Sequence, residues 1–236
     1  MKKLVGFVVS LALALVIILT LNESALFPAF GEVDLAERIS SQYFNLAQFE
    51  AVGSANIVTA ILAGYRGLDT LGEVTVLFIS SIGVAFIMAE QTRKRIELDY
   101  KANFMLRTGS RLIVSLILVT SFYIILHGHL SPGGGFPGGT MIASAILLLY
   151  LADEEFRSNI RGFKILESLA GTFIVVTGLL GLIFASAFLE NFLPSGTIGE
   201  LVSGGIIPII YILIGLKVGS EISGIIDHFL SEEETV

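Results

Sequence analysis

Cysteine is absent from all 236 residues, which removes disulfides, thiolate metal sites, iron–sulfur ligation and cysteine nucleophiles together. Histidine is nearly absent, with three copies, too few to hold a haem pair alongside anything else. Charge is scarce as well. Asp, Glu, Lys and Arg make up 15% of the chain, against about a quarter in soluble domains. The net charge of -7 lacks the basic footprint that nucleic-acid binding requires. What fills the space is apolar. Hydrophobic residues reach 54% and the mean hydropathy is +0.85, so the chain belongs in a bilayer.

Four apolar runs, 4–21, 71–89, 166–189 and 204–226, are long enough to read as membrane spans. Two more, 112–126 and 138–152, flank a glycine-rich loop. Each rises only about 22 Å as a helix, so they cross only if the loop between them contributes depth. The start MKKLVGF resembles a signal peptide, but no small-x-small cleavage site follows in LTLNESALFPAF, so it reads as a retained anchor helix. Six spans with both termini inside put 11 of the 14 Lys and Arg residues on the inner face, the bias expected of cytoplasmic segments. A seventh span at 51–63 is the rival. It is short, has Glu50 and Arg66 near its ends, and would throw Arg93, Lys94 and Arg95 outside, so it reads as an interfacial or partly re-entrant helix.

The expected fold is therefore all-α, a polytopic membrane protein of six helices, two followed by four. The polar stretch 91–107 divides a two-span module, 1–90, from a four-span module, 108–236. Residues 22–50 are expected as an acidic outer loop with a short surface helix. The final SEEETV reads as a frayed, solvated end.

The loop 127-HGHLSPGGGFPGGTM-141 holds Gly133, Gly135 and Gly138 in a G-x-G-x-x-G pattern. A dinucleotide fingerprint needs a strand before it, a helix after it and an acidic residue about 20 positions on. Here an apolar helix precedes it, Pro137 interrupts it, and no Gly-Lys-Ser/Thr follows Gly139, so neither nucleotide reading stands. Irregular backbone at membrane depth survives only where protein buries it or water lines it. Gly133, Gly134, Gly135, Phe136, Pro137, Gly138 and Gly139 are expected to form a structured, half-buried turn. His127 and His129 at its entry either exchange protons near neutral pH or are simply interfacial histidines at a helix end.

Ionisable residues inside spans are functional candidates by default. Glu73, near the start of the second span, is one, the alternative being a carboxylate favoured by the helix N-terminus. Asp69 and Arg66 are either part of the same site or an N-cap and a loop charge. Lys217 and Glu221, four apart on the last helix, form either a structural ion pair or a proton relay. Gly215 and Gly219 make a GxxxG for close packing, within the bundle or between subunits. Pro208, placed one turn into the last helix, is expected to kink it.

The run 126-LHGHLSPGGGFPGGTMIASAILLLYLA-152 with 206-IIPIIYILIGLKVGSEISG-224 resembles the MnhB/MrpB subunit of multisubunit sodium/proton antiporters and the related subunit of archaeal membrane-bound hydrogenases. The segment 55-ANIVTAILAGYRGLDTLGEVTVLFISSIGVAFIM-88 is similar to the C-terminal part of the large MrpA subunit. The resemblance implies a fusion of two neighbouring subunits and a non-catalytic role in a Mrp-type antiporter module, stand-alone or in the membrane arm of a hydrogenase-like or sulfur-reducing respiratory complex. It implies a plasma-membrane location, other Mrp-type subunits as partners and Na+ and H+ as transported ions, with no metal or cofactor held in this chain. It also places RGLDTLGE in the ion-translocating region, which favours Glu73. A scaffold that seals and joins ion-pumping subunits is the alternative. A self-sufficient transporter is disfavoured by the missing inverted repeat.

Overall fold

The computed structural model describes residues 11–12, 14–16, 19, 52–90, 102–153 and 156–230. The chain divides into two compact units, Met1–Asn45 and Leu46–Val236. Of the first unit, only the described residues of the 4–21 run are seen, and they are helical. The expected outer loop, most of the polar stretch at 91–101 and the tail after residue 230 lie outside the described residues.

Within the second unit, five helices are long and apolar enough to cross a membrane. They are α1, Gly67–Glu90; α2, Phe104–Leu126; α3, Gly135–Ala152; α4, Ile160–Phe184; and α5, Ile207–Leu230. Helix α5 packs against all four others and is the most enclosed of them. Its buried face carries Ile207, Ile210, Tyr211, Ile214 and Val218, the spine of the core.

The two short runs around the glycine loop make longer helices than their apolar stretches indicate. In α2 the helix begins at Phe104, eight positions before the apolar run, because the Asn103 side chain accepts the Leu106 N–H at 2.8 Å. At 23 residues it rises about 34 Å. Residues 104–107, expected in the polar hinge, thus belong to a span. Helix α3 gains its first turn from the glycine loop itself, with Gly135, Phe136 and Pro137 as its opening residues. Only Gly133 and Gly134 stay outside it, at φ 149° and 131°, the backbone region that favours glycine.

The remaining loop glycines are there for contact rather than for turning. A Cβ on Gly135 would lie 2.7 Å from Ile214 Cβ, and one on Gly139 would lie 2.8 Å from Val218 Cβ and 2.9 Å from the Gly215 carbonyl. Gly138 meets Ile125 of α2, and its carbonyl accepts the Ser121 hydroxyl at 2.6 Å. Gly219 faces the Gly139 carbonyl, and Gly215 faces Ile125. The GxxxG of α5 therefore packs inside this chain, bringing α2, α3 and α5 to near backbone contact.

Two expectations are corrected. Pro208 does not kink α5. It is the second helical residue, where its missing N–H has no partner to lose and its fixed φ suits a helix start. Nor does the run 166–189 continue as one span. Helix α4 ends at Phe184, and residues 185–189 fold back so that Phe188 covers Gly178 and Leu189, at φ 63°, enters the core. The amide and hydroxyl of Ser186 both donate to the Glu190 carboxylate, closing this turn and holding that carboxyl below its usual range. An apolar run records burial, and a reversed loop packed on a helix is buried as well.

The disputed segment before α1 forms a turn of helix, Ile57–Thr59, continued as a π-helical stretch, Ala60–Tyr65. Nine residues rise about 13 Å, too little to cross.

Candidate functional site

The polar residues of the second unit gather at two levels along α5. At the glycine-loop end, Asn56 caps the short helix and donates through Nδ2 to the Gly128 and Ser131 carbonyls, at 3.0 and 2.9 Å. Thr59 donates to the Gly128 carbonyl at 2.7 Å, and Ser54 to that of His129 at 2.8 Å. The side chains before α1 thereby satisfy the loop's buried carbonyls.

His129 is fully buried beneath this network, and neither ring nitrogen finds a hydrogen-bond partner. Burial lowers its pKa below the ordinary 6.5, opposed by the nearby Glu200 carbonyl and assisted by the charge of His127. His127 is different. Its ring stacks on Tyr123 with centroids 4.2 Å apart, and its Nδ1 lies 3.1 Å from the Tyr123 carbonyl. The two histidines flanking Gly128 do not meet in one site.

Well inside the membrane-spanning length lies the second level. Lys217 is the eleventh residue of the 24 in α5, and its side chain is 8% exposed. Its Nζ lies 3.2 Å from Glu221 Oε2, one turn along, and 3.6 Å from Glu167 Oε1 of α4. The ammonium also sits 4.8 Å from the centre of the Phe78 ring of α1. Glu221 is wholly enclosed, and neither of its oxygens receives a well-formed hydrogen bond. The contact with Lys217 is thus an ion pair by distance, without hydrogen-bond alignment.

Helix α4 presents Gly171 beside the Lys217 side chain, at ordinary contact distance. A Cβ at Gly171 would sit 3.6 Å from Lys217 Cδ. Beyond the pair, a cleft of about 540 Å³ opens between α1 and α4, lined by Thr75, Phe78, Glu167, Ser168 and Lys217. A second cleft of about 440 Å³ shares Phe78, Glu167 and Ser168 with it and runs on to Lys164 and His228. The charge cluster therefore borders an open lateral groove.

The sequence pairs Lys217 with Glu221 by helical spacing, and the structure brings them together. It does not point to Glu167, fifty residues away on another helix. The available signal was a lone carboxylate in 160-IRGFKILESLAGTF-173, near enough to the charged helix start to pass for an end residue. Glu73 takes no direct part in either level, although its charge acts on the buried Tyr211 hydroxyl that bonds Thr59. It is the seventh residue of α1, exposed on the chain, with no hydrogen bond or ion pair among the described residues. Asp69 pairs with Arg66 at the start of α1, both about half exposed.

Residues 105–224 match the family described as a domain related to the MnhB subunit of Na+/H+ antiporter. That match covers half of the chain. The chain belongs to this MnhB-domain family. Residues 10–101 match a second family, MbhE, described as a subunit of MBH. Among curated relatives, a Staphylococcus aureus (strain Newman) chain assigned as antiporter subunit mnhB2 is 34% identical over 91 residues. That alignment takes in 37% of this chain and 64% of the relative's own length. A chain of the membrane-bound sulfane sulfur reductase, an archaeal respiratory membrane complex, is 43% identical. It superposes with a TM-score of 0.82 over 97% of this chain and 100% of that one. A chain of the Mrp complex from Dietzia sp. DQ12-45-1b gives a TM-score of 0.76 at 26% identity, over 98% of this chain and 26% of that one. Together with the five apolar helices, these relatives make this MnhB-domain protein a multi-pass membrane protein.

Proposed function

We propose that this chain is a non-catalytic membrane subunit of a Mrp-type antiporter module, and that the Glu167–Lys217–Glu221 cluster is where it handles a transported ion. The carrying observation is the cluster itself. Three ionisable groups stand together within the span of α5, one of them wholly buried, beside a groove that reaches them from the side. Buried charge costs several kcal/mol per ion unless closely paired, so a merely structural contact here is made more cheaply by apolar side chains.

Likeness along the whole of a sulfane sulfur reductase chain supports membership of a respiratory membrane arm, with redox subunits and other Mrp-type subunits as partners. The matches over 10–101 and 105–224 support two modules joined near the polar stretch 91–107. Orientation follows the basic residues. Arg107, Arg111, Arg157, Arg161 and Lys164 all sit at the α2-start, α4-start end, opposite the glycine loop. That end is assigned to the cytoplasm, with the 4–21 run as a sixth span and both termini inside. Na+ and H+ are the ions the module exchanges.

The test uses the assembled complex in inverted membrane vesicles, with Glu167→Gln, Lys217→Arg, which keeps the cation, and Glu221→Gln made singly. Exchange of Na+ for H+ should fall at least tenfold in each while subunit composition stays unchanged. Full exchange in all three would leave the chain a scaffold.

A further inference from the structure

Resting on the reading that this cluster handles an ion, we infer that the ion is a proton rather than sodium, passed from Glu167 through Lys217 to Glu221.

With all three groups ionised, two carboxylates face one ammonium, leaving one uncompensated negative charge. Among the described residues, no second cation stands within ion-pair distance of Glu221. Lys217 is the cationic neighbour on Glu221's own helix, and Glu167 is the ionisable group that α4 brings. From α1 comes Phe78, and α3 packs Gly139 and Ile142 against the same stretch of α5 at Gly219. Lys164 and His228 line the farther part of the groove. A lone net charge in such a place is costly, so the cluster holds one further positive charge.

Sodium fits poorly. A hard cation takes a shell of oxygen ligands, and the space between the carboxylates is already filled by the Lys217 ammonium, 3.2 and 3.6 Å from them. No group of three or more His, Cys, Asp or Glu side chains suited to a metal ion occurs among the described residues.

A proton needs a single lone pair. Glu221 presents two buried oxygens with no donor aligned on either. Glu167 lines both clefts, whereas Glu221 lines neither, so protons enter at Glu167. The transfer balances. A hydronium ion in the groove gives one proton to Glu167, leaving a water molecule and the acid form of Glu167. Lys217 then breaks one N–H bond to protonate Glu221, and regains one from the Glu167 acid. Glu167 ends as carboxylate, Lys217 as ammonium and Glu221 as carboxylic acid, with no electron transferred.

Infrared difference spectroscopy on the assembled complex in membranes tests this, with a pH step at fixed Na+ and a Na+ step at fixed pH. The pH step should produce a carboxylic-acid C=O band that disappears in Glu221→Gln. It should disappear equally in Glu167→Gln, which changes the less buried of the two carboxylates and so threatens folding less. The Na+ step should leave the band in place. A Na+ step that discharges the same Glu221-dependent band, or a pH spectrum unchanged by both substitutions, overturns the assignment. Lost exchange without this band refutes the proton site alone. The band with full exchange in the variants refutes the transport role alone.

Discussion

The Tyr211 hydroxyl donates to Thr59 Oγ1 at 2.9 Å, joining the second turn of α5 to the short helix 152 positions earlier. Thr59 in turn donates a hydrogen bond to the Gly128 carbonyl, so a single hydroxyl links three segments around the glycine loop. Removing one end of such a chain leaves a buried oxygen with one partner fewer. Tyr211→Phe should lower stability by about 1 kcal/mol, read as a drop in the melting temperature of the purified complex. An unchanged melting temperature would mean the contact is not formed in the membrane.

Close packing of α3 on α5 predicts a position-specific glycine effect. Gly139→Ala pushes a methyl against Val218 and the Gly215 carbonyl and should destabilise by about 1–3 kcal/mol, seen as reduced recovery of assembled complex. Gly224→Ala, on α5 but with nothing within 4 Å of the added carbon, should be neutral or slightly stabilising.

Lys217 should matter more than either carboxylate for stability. Lys217→Met leaves Glu167 and Glu221 facing each other without their cation, an expected loss of about 3–5 kcal/mol. Adding Glu221→Gln to the same chain should restore part of it, a non-additivity that a double-mutant cycle on thermal unfolding measures. Strict additivity would deny the coupling.

His129 predicts a pH dependence. Its folded-state pKa lies below the ordinary 6.5, so as pH falls the unfolded chain takes up a proton before the folded one does. Stability from this residue is therefore full above pH 6.5 and declines as pH drops from there toward the lowered value. Melting temperatures across that window should slope downward with acid, and His129→Leu should flatten the slope.

Glu73 is exposed on α1, where lipid contact is unfavourable for a carboxylate, which supports water or a neighbouring subunit beside it. Glu73→Gln should reduce exchange in vesicles while leaving assembly intact. Undiminished exchange would make it a charge tolerated at a helix start.

How much of this was readable beforehand differs by feature. Helical spacing gave the Lys217–Glu221 pair, and a lack of strand and phosphate partners removed the nucleotide reading of the glycine loop. Span positions followed hydropathy, but their ends did not: Asn103 sets the start of α2, and hydropathy does not register a capping hydrogen bond. Residues 185–189 looked like helix because a reversed loop in contact with Gly178 is as apolar as a span. Glu167 escaped because its partner is distant in sequence, and single-chain periodicity relates only residues on one element. For the same reason His129 looked equivalent to His127, although one is fully enclosed and the other stacks on Tyr123.

Helix α5 touches each of α1 to α4, yet it is the last of the five to leave the ribosome. The earlier helices must therefore enter the bilayer without their common neighbour, and Glu167 must wait there for its lysine. Biogenesis of this protein thus has a vulnerable interval, between insertion of α4 and arrival of α5, in which an unaccompanied carboxylate and several bare glycine surfaces are open to insertion factors, quality-control proteases or wrong partners.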